Sequence, residues 1–142
     1  MKIQSIKIIS NNISFGPMPK SDEVVEQRLT VSRNGRVWFS SYMYGEGFDK
    51  HVLKETKHAT IGRIKADEMF ELLEEMNESY LPILCTDIGS WELIIKDCEK
   101  KTVALGGSLI GEVLAGDLDL TSYIRNVIPI DGLWIFDSIR MD

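Results

Sequence analysis

Leu29-Thr30-Val31-Ser32-Arg33-Asn34-Gly35-Arg36-Val37-Trp38-Phe39-Ser40 is the stretch whose reading decides the fold. Before the turn, Val25, Gln27, Leu29 and Val31 alternate with Glu26, Arg28, Thr30 and Ser32. After it, Val37, Phe39, Ser41 and Met43 alternate with Trp38, Ser40, Tyr42 and Tyr44. A period of two on both sides of a turn signal predicts an antiparallel hairpin with one buried face. Asn34-Gly35 suits a two-residue type I′ turn or a three-residue loop with Gly35 in the left-handed region. The choice shifts the register by one residue and so decides which side chains share a face. A two-residue turn sets Val31 opposite Trp38. A three-residue loop sets Val31 opposite Val37 and Leu29 opposite Phe39, joining two apolar rows, and the pattern favours it. Trp38, Tyr42 and Tyr44 then lie on the other face beside Arg28 and Thr30. They are expected to be covered by another part of the fold, because large exposed apolar patches are unusual on a monomer.

Outward from the hairpin, Lys2 to Ile9 reads as a first strand and Asn11 to Lys20 as a loop, with Pro17 and Pro19 removing backbone donors. Gly45-Glu46-Gly47 breaks the hairpin's second strand, and Thr56 to Ile64 resumes an extended path. Met69, Leu72, Leu73, Met76 and Tyr80 recur at helical spacing, with Asp67 and Glu68 in the expected first turn and Glu71, Glu74, Glu75 and Glu78 on the remaining face. A second hairpin runs from Ser90 to Lys96 and from Lys101 to Gly107, and Trp91, Leu93 and Ile95 mark its apolar face. Leu118 to Ile128 predicts a second helix capped by Asp117 or Asp119, with Leu120, Tyr123, Ile124 and Val127 inward. Leu133 to Phe136 reads as a short terminal strand. The expected fold is one α+β domain over residues 1–142: a mainly antiparallel sheet of two hairpins plus terminal strands, with two helices packed on one face.

Composition bounds the function. A chain of 142 residues that is 44% hydrophobic and 27% charged can build one core and is not of disordered composition. Its longest apolar runs, such as Leu81 to Cys85, fall far below the ~20 residues of a membrane helix, and the polar start of the sequence does not resemble a signal peptide. A cytoplasmic protein is expected. Cys85 and Cys98 flank a strand of seven residues, roughly 20 Å long. A disulfide needs Cα atoms within about 7 Å, so two free thiols are expected. The net charge of −6 is uneven: residues 1–65 carry 11 Lys/Arg against 6 Asp/Glu, and residues 66–142 carry 5 against 16. That balance disfavours phosphate-backbone binding and leaves two readings of the acidic half, a solvated surface or a docking face for a basic partner.

Catalytic chemistry is hard to place. His51 and His58 have no third ligand at a metal-binding interval, and surface histidines are the expected reading. Cys85 lies in an apolar run that would raise its thiol pKa, and Cys98 sits in a charged turn. Gly106-Gly107-Ser108 lacks the Lys-Ser/Thr of a phosphate loop, and neither Ser108 nor Ser138 has the context of a nucleophile elbow. Asp87, Glu92, Asp117, Asp119, Asp131 and Asp137 could converge, although turns and caps account for most of them.

The Phe15-Gly16-Pro17 loop, the hairpin quoted first, Thr86 to Leu93, the Gly107-Ser108-Leu109 turn and the tail Leu133 to Asp137 follow one another in an order that resembles a family of short, uncharacterised bacterial proteins. The likeness covers nearly the whole chain. It implies a bacterial cytoplasmic protein and carries over no activity, cofactor or site residue.

Two functional readings follow. The first is a non-catalytic protein-binding or regulatory module for a basic partner, immunity- or antitoxin-like in size and acidity. Its candidate contacts are Phe15, Trp38, Tyr42, Tyr44, Glu71, Glu74, Glu75 and Glu78, and it needs no cofactor or metal. The alternative is a hydrolase using carboxylates that converge around Asp87.

Overall fold

A computed structural model describes residues 2–12, 19–46, 51–80, 89–109 and 113–137. Six strands form one sheet: β1 (Ile3–Asn11), β2 (Val24–Ser32), β3 (Arg36–Met43), β4 (Val52–Thr60), β5 (Ser90–Asp97) and β6 (Thr102–Ser108), in the order β4-β3-β2-β1-β5-β6. Every neighbouring pair is antiparallel. Helix α1 (Gly62–Ser79) joins β4 to β5, so the chain passes from one edge of the sheet to the other half. A two-stranded ribbon, β7 (Leu114–Ala115) with β8 (Leu118–Asp119), leads into α2 (Leu120–Val127).

The deciding hairpin has the three-residue loop: Val31 lies opposite Val37, Leu29 opposite Phe39, and Gly35 has φ +87°. Ile6, Ile8, Leu29, Val31, Val37, Phe39, Leu93 and Ile95 make one buried face of the sheet. Ala66, Met69, Phe70, Leu73 and Met76 of α1 and Leu120 and Ile124 of α2 join the same core, so both helices lie on that face. At about 1.5–3 kcal/mol for each fully buried large aliphatic or aromatic side chain, this face dominates stability. The other face alternates with it along β1 and β2, and on those two strands none of its residues from Ser5 onward is buried.

Three expectations need correction. First, residues 62–64 are helical: α1 begins at Gly62, so its first turn holds Arg63 and Lys65, and Asp67 and Glu68 follow later. The Ile61 amide donates to the Gly35 carbonyl at 2.8 Å, and Gly62 turns the chain with φ +80°. The start is thus set by contact with the first hairpin, without a side-chain cap. Second, α2 is shorter than Leu118 to Ile128, because Leu118 and Asp119 pair with β7; Asp119 caps it by accepting from the Thr121 amide at 3.0 Å.

Third, Leu133 to Phe136 is buried but is not a strand. Ile135 has φ +57°, and the Asp137 amide closes a turn on the Trp134 carbonyl at 3.0 Å. Side chains supply the partners a neighbouring strand would have given. Gln27 Nε2 donates to the Gly132 carbonyl and its Oε1 accepts from the Trp134 amide, both at 2.9 Å. Ser10 Oγ donates to the Ile135 carbonyl at 2.5 Å. Arg125 donates to the carbonyls of Leu133 and Trp134 at 2.8 Å and forms an ion pair with Asp137. Phe136 packs against Trp91, ring centroids 4.6 Å apart. Cys98 is a free, exposed thiol, whereas Cys85 lies outside the described residues.

Candidate functional site

The predicted aromatic row is divided. Trp38 is 39% exposed on the open face of the sheet, so it is not covered as expected. It lines a shallow depression of about 400 Å³ with Arg36, His58 and Thr60. Tyr42 is half-buried on the same face, with the Arg28 guanidinium 4.6 Å from its ring centroid. Tyr44 leaves the row: it is buried after the end of β3, its ring 5.9 Å from that of His51. His51 is half-buried rather than a surface residue, and its Nε2 is buried without a hydrogen-bond partner among the described residues, whereas His58 is exposed. Phe15 and Asp87 lie outside the described residues.

The remaining candidate carboxylates go to separate places. Glu92 is exposed on β5, Asp119 caps α2, Asp131 is exposed in a turn, and Asp137 is paired with Arg125. Among the described residues, no group of three or more His, Cys, Asp or Glu side chains is placed to hold a metal ion. No described helix is long and apolar enough to cross a membrane.

Helix α1 does gather its acids. Ile64, Glu68, Glu71, Glu75 and Glu78 recur at i, i+4, i+7, i+11 and i+14, and all are exposed. They form one stripe on the side away from Ala66, Met69, Leu73 and Met76. Glu74 flanks this stripe and is half-buried. The Glu75 carboxylate lies over the β7–β8 turn, where a Cβ on Gly116 would come within 3.3 Å of it.

Beside the stripe runs a groove of about 480 Å³ between α1 and α2, lined by Lys65, Glu68, Leu118, Tyr123, Asn126 and Val127 among others. Leu118 is 40% exposed in it, and Ile64, one helical turn before Glu68, is 83% exposed. The groove, the exposure of Leu118 in it and the exposure of Ile64 on the stripe were not foreseen from the sequence. The misplaced start of α1 hid Ile64, and the reading of Leu118 as helical hid its place in the ribbon.

Tyr123 joins the two walls by donating from its hydroxyl to Glu68 Oε1 at 2.6 Å. Burial, reinforced by the hydrogen bond to Glu68 and its charge, pushes the phenol well above the usual tyrosine range. A phenol whose pKa rises on folding contributes stability below its ordinary value of about 10, and that contribution is lost as pH climbs above it. An alkaline absorbance titration should therefore include a late-ionising tyrosine. Glu68→Ala should move that ionisation part of the way back toward the ordinary tyrosine range, and an unchanged curve would refute the contact's role.

No protein-family model matches the chain, and no curated protein matches it.

Proposed function

We propose that the protein is a non-catalytic binding module that takes a basic protein partner on the outward stripe of α1 and in the adjoining α1–α2 groove. The observation that carries this reading is the juxtaposition of a recess, with Leu118 40% exposed, and the acidic stripe of Glu68, Glu71, Glu75 and Glu78, which meets the recess at Glu68. Apolar surface ringed by polar side chains is the arrangement of interface core and rim. The carboxylates would steer a basic partner in and fix its orientation, while Leu118 and Ile64 supply the area removed from water. Along the helix the carboxylates repel one another, since like charges at i,i+3 or i,i+4 cost roughly 0.2–0.5 kcal/mol per pair.

An immunity- or antitoxin-like role in a bacterial cytoplasm belongs to the same proposal. It rests on size, on the acidic balance of residues 66–142 and on the motif order described above.

The test is Glu71→Lys combined with Glu78→Lys. Both positions are exposed, so the thermal midpoint should stay equal to wild type or rise slightly. Association with a basic protein captured from the host's lysate should slow by about tenfold at low salt, with the difference shrinking as salt screens it. Equal association rates at both salts would leave the stripe as solvated surface.

A further inference from the structure

Strand β4 closes one edge of the sheet. Its nine residues contain no proline and seven of them are exposed, with Val52 at 48% and Leu53 at 51%. Among the described residues, no hydrogen bond reaches its backbone from the side away from β3. A row of unpaired amides and carbonyls is a template for another strand.

The strand's own charges choose the occupant. Glu55 and Lys57 stand on one face of β4, opposite Ser41 and Phe39 of β3, with Lys57 Nζ 3.7 Å from Glu55 Oε1. Consider a second copy pairing antiparallel about a twofold axis normal to the sheet. The axis keeps each residue and its copy on the same face, so some residue must stand opposite itself. Centring on Glu55 sets like charges together, and so does centring on Lys57. Centring on Thr56 sets each Glu55 opposite the other copy's Lys57, and both ion pairs form at once.

The irregularity in β4 fits the same register. Between Glu55 and Leu53 the strand carries one extra residue relative to β3, so that Leu53 pairs with Tyr42 and Val52 with Met43. With that residue, Lys54, set aside, Leu53 comes opposite the second copy's His58, both on the open face. Val52 comes opposite Ala59, both on the core face. The two most exposed apolar residues of the edge are then covered by the partner.

We infer that β4 pairs with β4 of a second copy of this chain, antiparallel and centred on Thr56, joining two six-stranded sheets through reciprocal Glu55–Lys57 contacts. This surface lies apart from the α1 stripe and does not depend on the proposed basic partner.

Sedimentation velocity of the full chain across a concentration series tests the inference. Wild type should show a monomer–dimer equilibrium. Glu55→Lys alone, or Lys57→Glu alone, should weaken the dimer by about tenfold or more, because two attractive cross-strand pairs become repulsive. The double variant Glu55→Lys, Lys57→Glu should dimerise like wild type. A mixture of the two single variants should form the heterodimer, since each charge then meets its opposite. Thr56→Pro should abolish association while circular dichroism shows the fold retained. A wild type that stays monomeric throughout, or single variants that associate as wild type does, would overturn it.

Discussion

Gly35→Val is expected to destabilise the protein by about 3–5 kcal/mol, from strained backbone and steric overlap together. A valine would have to adopt φ +87°, a conformation that β-branched residues tolerate badly. Its Cβ would also stand 2.6 Å or less from the backbone N, C and O of Gly62. Main chain cannot rotate away as a flexible side chain can. The hairpin turn and the start of α1 are therefore in backbone contact, tied by the bond from the Ile61 amide to the Gly35 carbonyl. Gly62 provides the control. It has φ +80°, but a Cβ there meets nothing within 4 Å, so Gly62→Ala should cost only the left-handed strain of about 1–2 kcal/mol. Denaturant unfolding of Gly35→Ala, Gly35→Val and Gly62→Ala separates the terms. Equal losses for Gly35→Ala and Gly62→Ala would mean that the close approach does not matter.

Arg125→Ala is expected to cost about 3–5 kcal/mol, the range for removing one partner of a buried ion pair. The substitution leaves Asp137, with a side chain only 11% exposed, without its guanidinium. It also takes the donors from the Leu133 and Trp134 carbonyls. A planar fork meets carboxylate and carbonyls together, so Arg125→Lys should recover less than half of the loss. The check is a chemical melt paired with near-ultraviolet circular dichroism, where the buried Trp134 reports the tail's packing. A loss below ~1 kcal/mol for Arg125→Ala would show that the tail is held mainly by its apolar side chains.

The parts of the fold legible in the sequence are those fixed by local alternation. The register of the first hairpin follows from matching Val31, Val37, Leu29 and Phe39, and the second hairpin follows from Trp91, Leu93 and Ile95. Helix α1 is legible in its centre but not at its start, because Ile61 offers no capping side chain and Arg63 and Lys65 oppose the helix dipole there. The signal for that start lies 27 residues away in Gly35, and only the folded chain brings the two together. The tail fails for a similar reason. Leu133 to Phe136 has strand composition, yet its backbone partners are the side chains of Ser10, Gln27 and Arg125. Gln27, a polar residue in the otherwise apolar row of β2, is the one local clue to that role.

The candidate site was legible in its charges and not in its shape. The glutamates at positions 71, 75 and 78 announce an acidic helix face, and they do form a stripe with Glu68. The groove beside them depends on how α2 is set against α1 and on the Glu68–Tyr123 hydrogen bond, which no spacing rule foretells. Tyr44 departs from its expected row because β3 ends at Met43, so strand alternation no longer governs its direction.

Amide hydrogen exchange, with and without a basic partner captured from the host's lysate, tests the docking proposal most directly. Exchange should slow over Gly62–Ser79 and Leu120–Val127, with the outer strands unchanged. Protection confined to β3 and β4 around Trp38 and His58, with α1 exchanging as in the free protein, would contradict it.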